Sequence, residues 1–287
     1  MTTILDGGMG RELQRLGAPF RQPEWSALAL IEAPEFVTQA HDSFAHAGAQ
    51  VISTNSYAVV PFHIGETLFQ ERGVELAGIA GKLARDVADQ HGLKVAGSLP
   101  PMLGSYRPDL FEVEAARANL SVLIKDLSPF ADIWLAETLS TLGEAELVGE
   151  MLSGDGRPLW LSFTLNDEGN AMLRSGETIE AAVAVARKFG AKAILFNCCA
   201  PEVMEDAVQR AKAALGTEAM AIGVYANGFA HSDEEVDANA GLRQIRADLD
   251  APRYLEWAQQ WVASGATMVG GCCGIGPEHI RALAESL

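Results

Sequence analysis

Two adjacent cysteine pairs are the residues whose types and spacing most directly suggest chemistry. Cys198 and Cys199 follow Phe196-Asn197, and Cys272 and Cys273 sit within Gly270-Gly271-Cys272-Cys273-Gly274. Each pair ends a short apolar run that reads as a strand. Zinc binds thiolates at ~2.3 Å in a tetrahedron, and a catalytic zinc keeps one position open beside three protein ligands. Neighbouring residues on a regular strand point to opposite faces, so both members of a pair reach one ion only where the strand breaks. Gly270, Gly271 and Gly274 supply that freedom around Cys272 and Cys273. No such glycine adjoins Cys198 and Cys199, so one of that pair is expected in the site and the other elsewhere. The competing readings are buried core cysteines, a vicinal disulfide at Cys272 and Cys273, and dithiol redox work, the last without a Cys-x-x-Cys spacing to support it.

Residues so far apart in the chain meet only if the fold gathers strand ends. Short apolar runs alternate with amphipathic stretches throughout, the pattern of repeated βα units around a parallel sheet. The strand candidates are Thr3 to Asp6, Gln50 to Asn55, Lys94 to Ser98, Ile133 to Glu137, Leu159 to Thr164, Ala193 to Cys198, Met220 to Tyr225 and Thr267 to Cys272. Gly48, Gly190 and Gly265 stand where left-handed helix C-caps belong. An open doubly wound sheet fits the alternation nearly as well, but a strand count near eight, with polar residues at strand ends along the whole length, predicts an α/β fold of the (β/α)₈ TIM-barrel type. One barrel spanning residues 1–287 is expected, close to the ~250 residues typical of this architecture. The acidic connection at 227–250 is long for a βα loop and reads either as a lid or as a solvated insertion.

Composition narrows the function classes. The chain is 48% hydrophobic and 21% charged, enough for a large core. With 21 Lys and Arg against 38 Asp and Glu, the net charge of −17 argues against nucleic acid and anionic membranes as partners. The N-terminal stretch lacks a basic segment followed by an apolar run, and no run of 18 apolar residues occurs, so a cytoplasmic protein is expected. Cysteines confined to 198–273 do not resemble a secreted disulfide framework. The six histidines are scattered, and none has a second histidine at ligand spacing on a site loop; they read as surface or helix residues.

The sequence resembles the homocysteine S-methyltransferase family over essentially its whole length. The landmarks are Leu5-Asp6-Gly7-Gly8-Met9-Gly10, Trp25-Ser26-Ala27, Ala47-Gly48-Ala49, Thr54-Asn55-Ser56-Tyr57, Glu137-Thr138, Ser162-Phe163-Thr164, Asn197-Cys198 and the Gly-Gly-Cys-Cys-Gly segment. The last two together are the specific ones. The resemblance implies Zn2+ held by Cys198, Cys272 and Cys273, which leaves Cys199 surplus.

It further implies homocysteine and a small-molecule methyl donor as ligands. Glu137 stands where the family places a carboxylate for the substrate ammonium, and Asp6, Gly7, Gly8 and Thr54 fall in the same substrate region. Trp25 and Tyr57 offer aromatic faces of the kind that bind onium cations. Coordination to a cation deprotonates a thiol, so methyl transfer from S-methylmethionine or a similar donor needs no general base of its own. The alternative is a zinc subunit that activates homocysteine for a separate methyl-corrinoid protein.

Overall fold

The computed structural model describes residues 2–229 and 245–287. Eight parallel strands form the centre: β1 (Thr3–Ile4), β2 (Val51–Ser53), β3 (Lys94–Leu99), β4 (Ile133–Leu139), β5 (Leu159–Phe163), β6 (Ala193–Asn197), β7 (Ala221–Tyr225) and β8 (Met268–Val269). Their order is β1-β8-β7-β6-β5-β4-β3-β2. The ends of that row meet through a parallel bridge between Leu5 and Val51, with Asp6 N donating to Val51 O at 3.1 Å and Gln50 N to Ile4 O at 2.8 Å. The expected TIM barrel is therefore the observed architecture, and all eight strand candidates are strands. Among the described residues, no helix is long and apolar enough to cross a membrane.

Strand parity divides the core in two. Leu5, Val51, Ala96, Ile133, Leu135, Trp160, Ala193 and Leu195 fill the barrel, whereas Ile4, Ile52, Val95, Trp134, Leu161 and Ile194 pack outward under the helices. The helices follow from apolar spacing of three and four residues. Helix Pro34–His46 starts with proline at its first turn and buries Val37, Ala40, His41 and Phe44. Helix Leu142–Met151 begins in a capping box between Thr141 and Glu144. The predicted C-caps Gly48, Gly190 and Gly265 all have positive φ.

Two strands are shorter than the alternation suggests. β1 and β8 have two residues each because the chain turns out of the sheet at the mouth, while its backbone stays tied by Gly271 N to Asp6 O (2.9 Å) and Cys272 N to Ala226 O (2.9 Å). At the same end, β4 carries a register shift between Ala136 and Leu139. Such irregularities re-aim side chains at the rim of a barrel.

Candidate metal and substrate site

Several strand ends meet in one pocket at the C-terminal mouth, which Asp6, Ser53, Glu137, Cys198, Tyr225 and Cys272 help to line. On β8 the series Met268, Gly270, Cys272 brings Cys272 to the barrel interior. On β6 the inward residues are Ala193 and Leu195, so Asn197 continues the series and parity would turn Cys198 away. Cys198 instead takes a left-handed conformation, φ +53°, rare outside glycine, and thereby lines the pocket. Cys199 follows the other direction into the core, with its sulfur 3.9 Å from that of Met204, and burial pushes its thiol up to about 12. One cysteine of that pair is in the site and the other is not.

The ligand-capable sulfurs of Cys198, Cys272 and Cys273 lie within 4.8 Å of one another. Three sulfurs around a tetrahedral ion with ~2.3 Å bonds stand ~3.8 Å apart, so the set fits a zinc-sized thiophilic ion after small side-chain adjustments. Cys198 and Cys272 are joined as a disulfide, across the barrel mouth and not between the adjacent Cys272 and Cys273. Only thiolates ligate, so the reduced chain is the one that would hold an ion.

The glycines act differently from the expectation that all three free the backbone. Gly274 is left-handed at φ +88°, but Gly270 and Gly271 are required for space: a Cβ at Gly270 would meet that of Leu5 at 2.6 Å, and one at Gly271 would collide with the Ile275 side chain. Gly7 and Gly8 were expected in the substrate region. They line the pocket, yet their missing side chains make room for protein: a Cβ on Gly7 would lie 2.5 Å from Ile275 O, and one on Gly8 2.5 Å from Cys272 O. Gly8 N and Asp6 N are also engaged, by Ile275 O and Val51 O. Gly8→Ala is therefore expected to push the Cys272 and Cys273 backbone outward and weaken metal affinity ~10- to 100-fold, the range for groups that orient ligands. Metal titration of the folded variant checks this; wild-type affinity would remove Gly8 from that role.

Two buried carboxylates face this set. Glu137 continues the inward series Ile133, Leu135 on β4, and its oxygens accept hydrogen bonds from Ser98 Oγ and from the Tyr225 hydroxyl, the latter at 3.2 Å. Burial raises its pKa, and those two hydrogen bonds offset the rise in part. Asp6 accepts from Ser53 N at 2.7 Å and from Ser53 Oγ at 3.3 Å. Burial pushes the Asp6 carboxyl up to about 7; the Ser53 amide pulls against this and the Glu137 charge adds to it. Burial thus disfavours the charged form of both carboxyls, and a ligand cation beside them would favour it again.

Thr54 lines the pocket, but its hydroxyl is committed: it accepts from Ser98 N at 2.9 Å and pairs with Ser56 Oγ at 2.8 Å. It acts on Glu137 by fixing Ser98. Asn197 clamps the other side, accepting from Thr138 N (2.9 Å) and Ser162 Oγ (2.7 Å) and donating to Thr138 Oγ1 (2.8 Å). Thr138 is itself left-handed, φ +60°. Thr138 was quoted from sequence only within the Glu137-Thr138 landmark, and Ser98 and Tyr225 were not singled out as site residues; the signal available for those two was their place at the end of an inward strand series.

The outer wall is aromatic. Trp25 and Tyr57, both half-buried, line it with Tyr106 and Phe229. Asn55 Nδ2 donates to Ser26 O at 3.1 Å and so holds the Trp25 segment, and the Tyr57 hydroxyl pairs with Ser105 Oγ at 2.7 Å. Trp25 and Tyr106 are left-handed as well. Together with Thr138 and Cys198 they are the non-glycine residues at positive φ among those described, and all four line this pocket. Such conformations cluster at functional sites. His63, read with the other histidines as a surface or helix residue, lies in the short helix Pro61–Ile64 and also joins the wall. Its Nδ1 is bonded to Pro23 O at 2.8 Å, and burial lowers its pKa to about 4.

The segment 227–250, read either as a lid or as a solvated insertion, falls largely outside the described residues. Its near end is tied to the site, with Gly228 N donating to Cys273 O at 2.7 Å.

Residues 3–287 match the family described as homocysteine S-methyltransferase. The chain belongs to the homocysteine S-methyltransferase family. It is 31% identical to the homocysteine S-methyltransferase of Escherichia coli, covering 98% of this chain and 93% of that one, and 27% identical to the selenocysteine methyltransferase of Astragalus bisulcatus, covering 99% and 92%. The crystal structure of the homocysteine methyltransferase MmuM from Escherichia coli in its metallated form superposes with a TM-score of 0.81 at 30% identity, covering 100% of this chain and 96% of that chain. An oxidised form of the same enzyme superposes with a TM-score of 0.81 at 29% identity. The homocysteine S-methyltransferase family fold described above is therefore an enzyme fold for methyl transfer.

Proposed function

We propose that the reduced chain binds one zinc through Cys198, Cys272 and Cys273 and transfers a methyl group from S-methylmethionine or a similar onium donor to the thiol of homocysteine, giving methionine. The observation that carries this reading is the meeting of three cysteine sulfurs from two distant strand ends with two buried carboxylates in one pocket. The thiols must be reduced, which suits a cytoplasmic protein. A metallated form of MmuM supports a metal on this scaffold. When bound, zinc would supply ionisation of a substrate thiol at neutral pH.

The protein groups bind and orient. Glu137, with Ser98 and Tyr225 holding both its oxygens, receives the homocysteine ammonium; Asp6 adds negative charge beside it. Helix Met9–Leu16 starts at Gly8 without a side-chain cap, so its N-terminal amides favour the substrate carboxylate at the same mouth. Trp25, Tyr57 and Tyr106 turn aromatic surface toward the donor cation and exclude water from it. In the transfer, the homocysteine sulfur forms a bond to the methyl carbon as the bond from that carbon to the donor's onium atom breaks. The electron pair leaves with the donor, which becomes neutral. No side chain takes a proton in this step.

Two measurements test the reading. Adding homocysteine to the zinc-loaded protein is expected to release about one proton per chain at a pH where the free thiol is protonated, and to leave a sulfur-only shell by X-ray absorption. Binding without proton release would overturn the role of the metal. A panel of S-methylmethionine, betaine and a methyl-corrinoid protein tests the donor; turnover with the corrinoid protein alone would overturn the onium assignment.

A further inference from the structure

Among the described residues, a second group of metal-capable side chains lies at the opposite end of the barrel. Asp42 and His46 stand one turn apart on helix Pro34–His46, and His91 is the last residue of helix Glu66–His91. These helix ends feed the starts of β2 and β3, whereas the pocket is at the strands' C-terminal ends. One ligand-capable atom from each of the three side chains lies within 4.8 Å of the other two. His91 Nε2 is 3.0 Å from Asp42 Oδ1, and the two imidazole rings are 4.7 Å apart at 77°.

The hydrogen bonding is that of ligands waiting for an ion. His46 Nδ1 is 2.8 Å from the Asp42 carbonyl oxygen, which accepts only from a protonated nitrogen, so the lone pair is on Nε2. Histidines that bind metals characteristically donate their other ring N–H to such a carbonyl, which fixes the tautomer and the ring orientation. Between His91 and Asp42 a proton occupies the place where a cation would sit, and moving that proton to His91 Nδ1 frees Nε2 as a ligand. Residues four apart on a helix share a face, so Asp42 and His46 present a two-point grip that His91 completes from the neighbouring helix.

All three side chains are partly exposed, and the chain's net charge of −17 favours cations. Two imidazoles and one carboxylate select a divalent transition ion of the zinc, nickel or copper kind over calcium or magnesium. We propose that Asp42, His46 and His91 form a second divalent-metal site, separate from the cysteine site, that ties helix Pro34–His46 to helix Glu66–His91 at the base of the barrel. That face of a TIM barrel serves stability and not chemistry, so the ion's effect is on unfolding and not on turnover.

The test is titration of Zn2+ into full-length protein already holding one zinc at the cysteines, followed by melting. The wild type is expected to take up a second equivalent and to melt about 5 °C higher when that site is saturated about a hundredfold above its dissociation constant. His46→Ala, His91→Ala and Asp42→Asn should each lose the second equivalent and the rise in Tm while retaining the first equivalent, which reports an intact fold. Cys198→Ser should show the converse, losing the first and keeping the second. A wild type that stops at one zinc, or a second equivalent that survives in the three base variants, overturns the proposal.

Discussion

Cys198→Ser, Cys272→Ser and Cys273→Ser are each expected to abolish tight zinc binding and with it methyl transfer, whereas Cys199→Ser should keep both. A hydroxyl replaces a thiolate in each of the first three, removing a charge and a soft donor from a set of only three sulfurs. The loss should exceed the ~10- to 100-fold that follows from disturbing a group one bond further from the ion. Cys199 is different in kind. Its sulfur is buried against Met204 and its thiol is held neutral by burial, so serine there costs packing but leaves the site alone. The measurement is metal per chain after dialysis of reduced protein, with activity alongside. Equal metal loss in Cys199→Ser would mean that the left-handed turn at Cys198 does not sort the pair as described.

Glu137→Gln should weaken homocysteine binding by ~1–3 kcal/mol, roughly 5- to 150-fold, with zinc content unchanged. The carboxamide keeps the volume, and one of its two polar ends still meets Ser98 or Tyr225. What disappears is the charge for an ammonium that has been taken out of water. Ser98→Ala is the informative companion: it leaves the charge but removes one of the two hydrogen bonds that aim it, so a smaller loss is expected. Homocysteine affinity measured calorimetrically on zinc-loaded protein decides the matter, and an unchanged affinity in Glu137→Gln would take this residue out of the substrate site.

The place of Glu137 at the mouth was legible from its strand-end position, and the role proposed for it rests on family likeness; its hydrogen-bond support was not legible. Nothing in the local sequence says that Ser98 and Tyr225, on β3 and β7, meet at one carboxylate, because that depends on how strands far apart in order face each other across a closed ring. The same holds for Thr54, read as a substrate contact and found holding Ser98 in place. His63 escaped notice for a related reason. A single histidine in a short helix carries no pattern, and only the fold of the Pro23 segment over it makes it part of the wall.

The sequence by itself determined the eight strands, the inward and outward alternation along them, and the two cysteine pairs as the candidate metal ligands. Those features are local: period-two burial, turn glycines and residue type act within a few positions of one another. It also determined that only one of Cys198 and Cys199 could enter the site, since parity holds for any regular strand. Parity did not say which one; the family resemblance pointed to Cys198, although strict alternation from the inward Asn197 would turn Cys198 away. The tertiary structure decided it through a positive φ at Cys198. A left-handed non-glycine residue is locally unfavourable and persists only where surrounding contacts impose it. Here the contacts come from other strands: Thr164 Oγ1 donates to Cys198 O and Cys198 N donates to Tyr225 O. Interactions of that range have no signature in a short stretch of chain, so the barrel had to close before the site could be read.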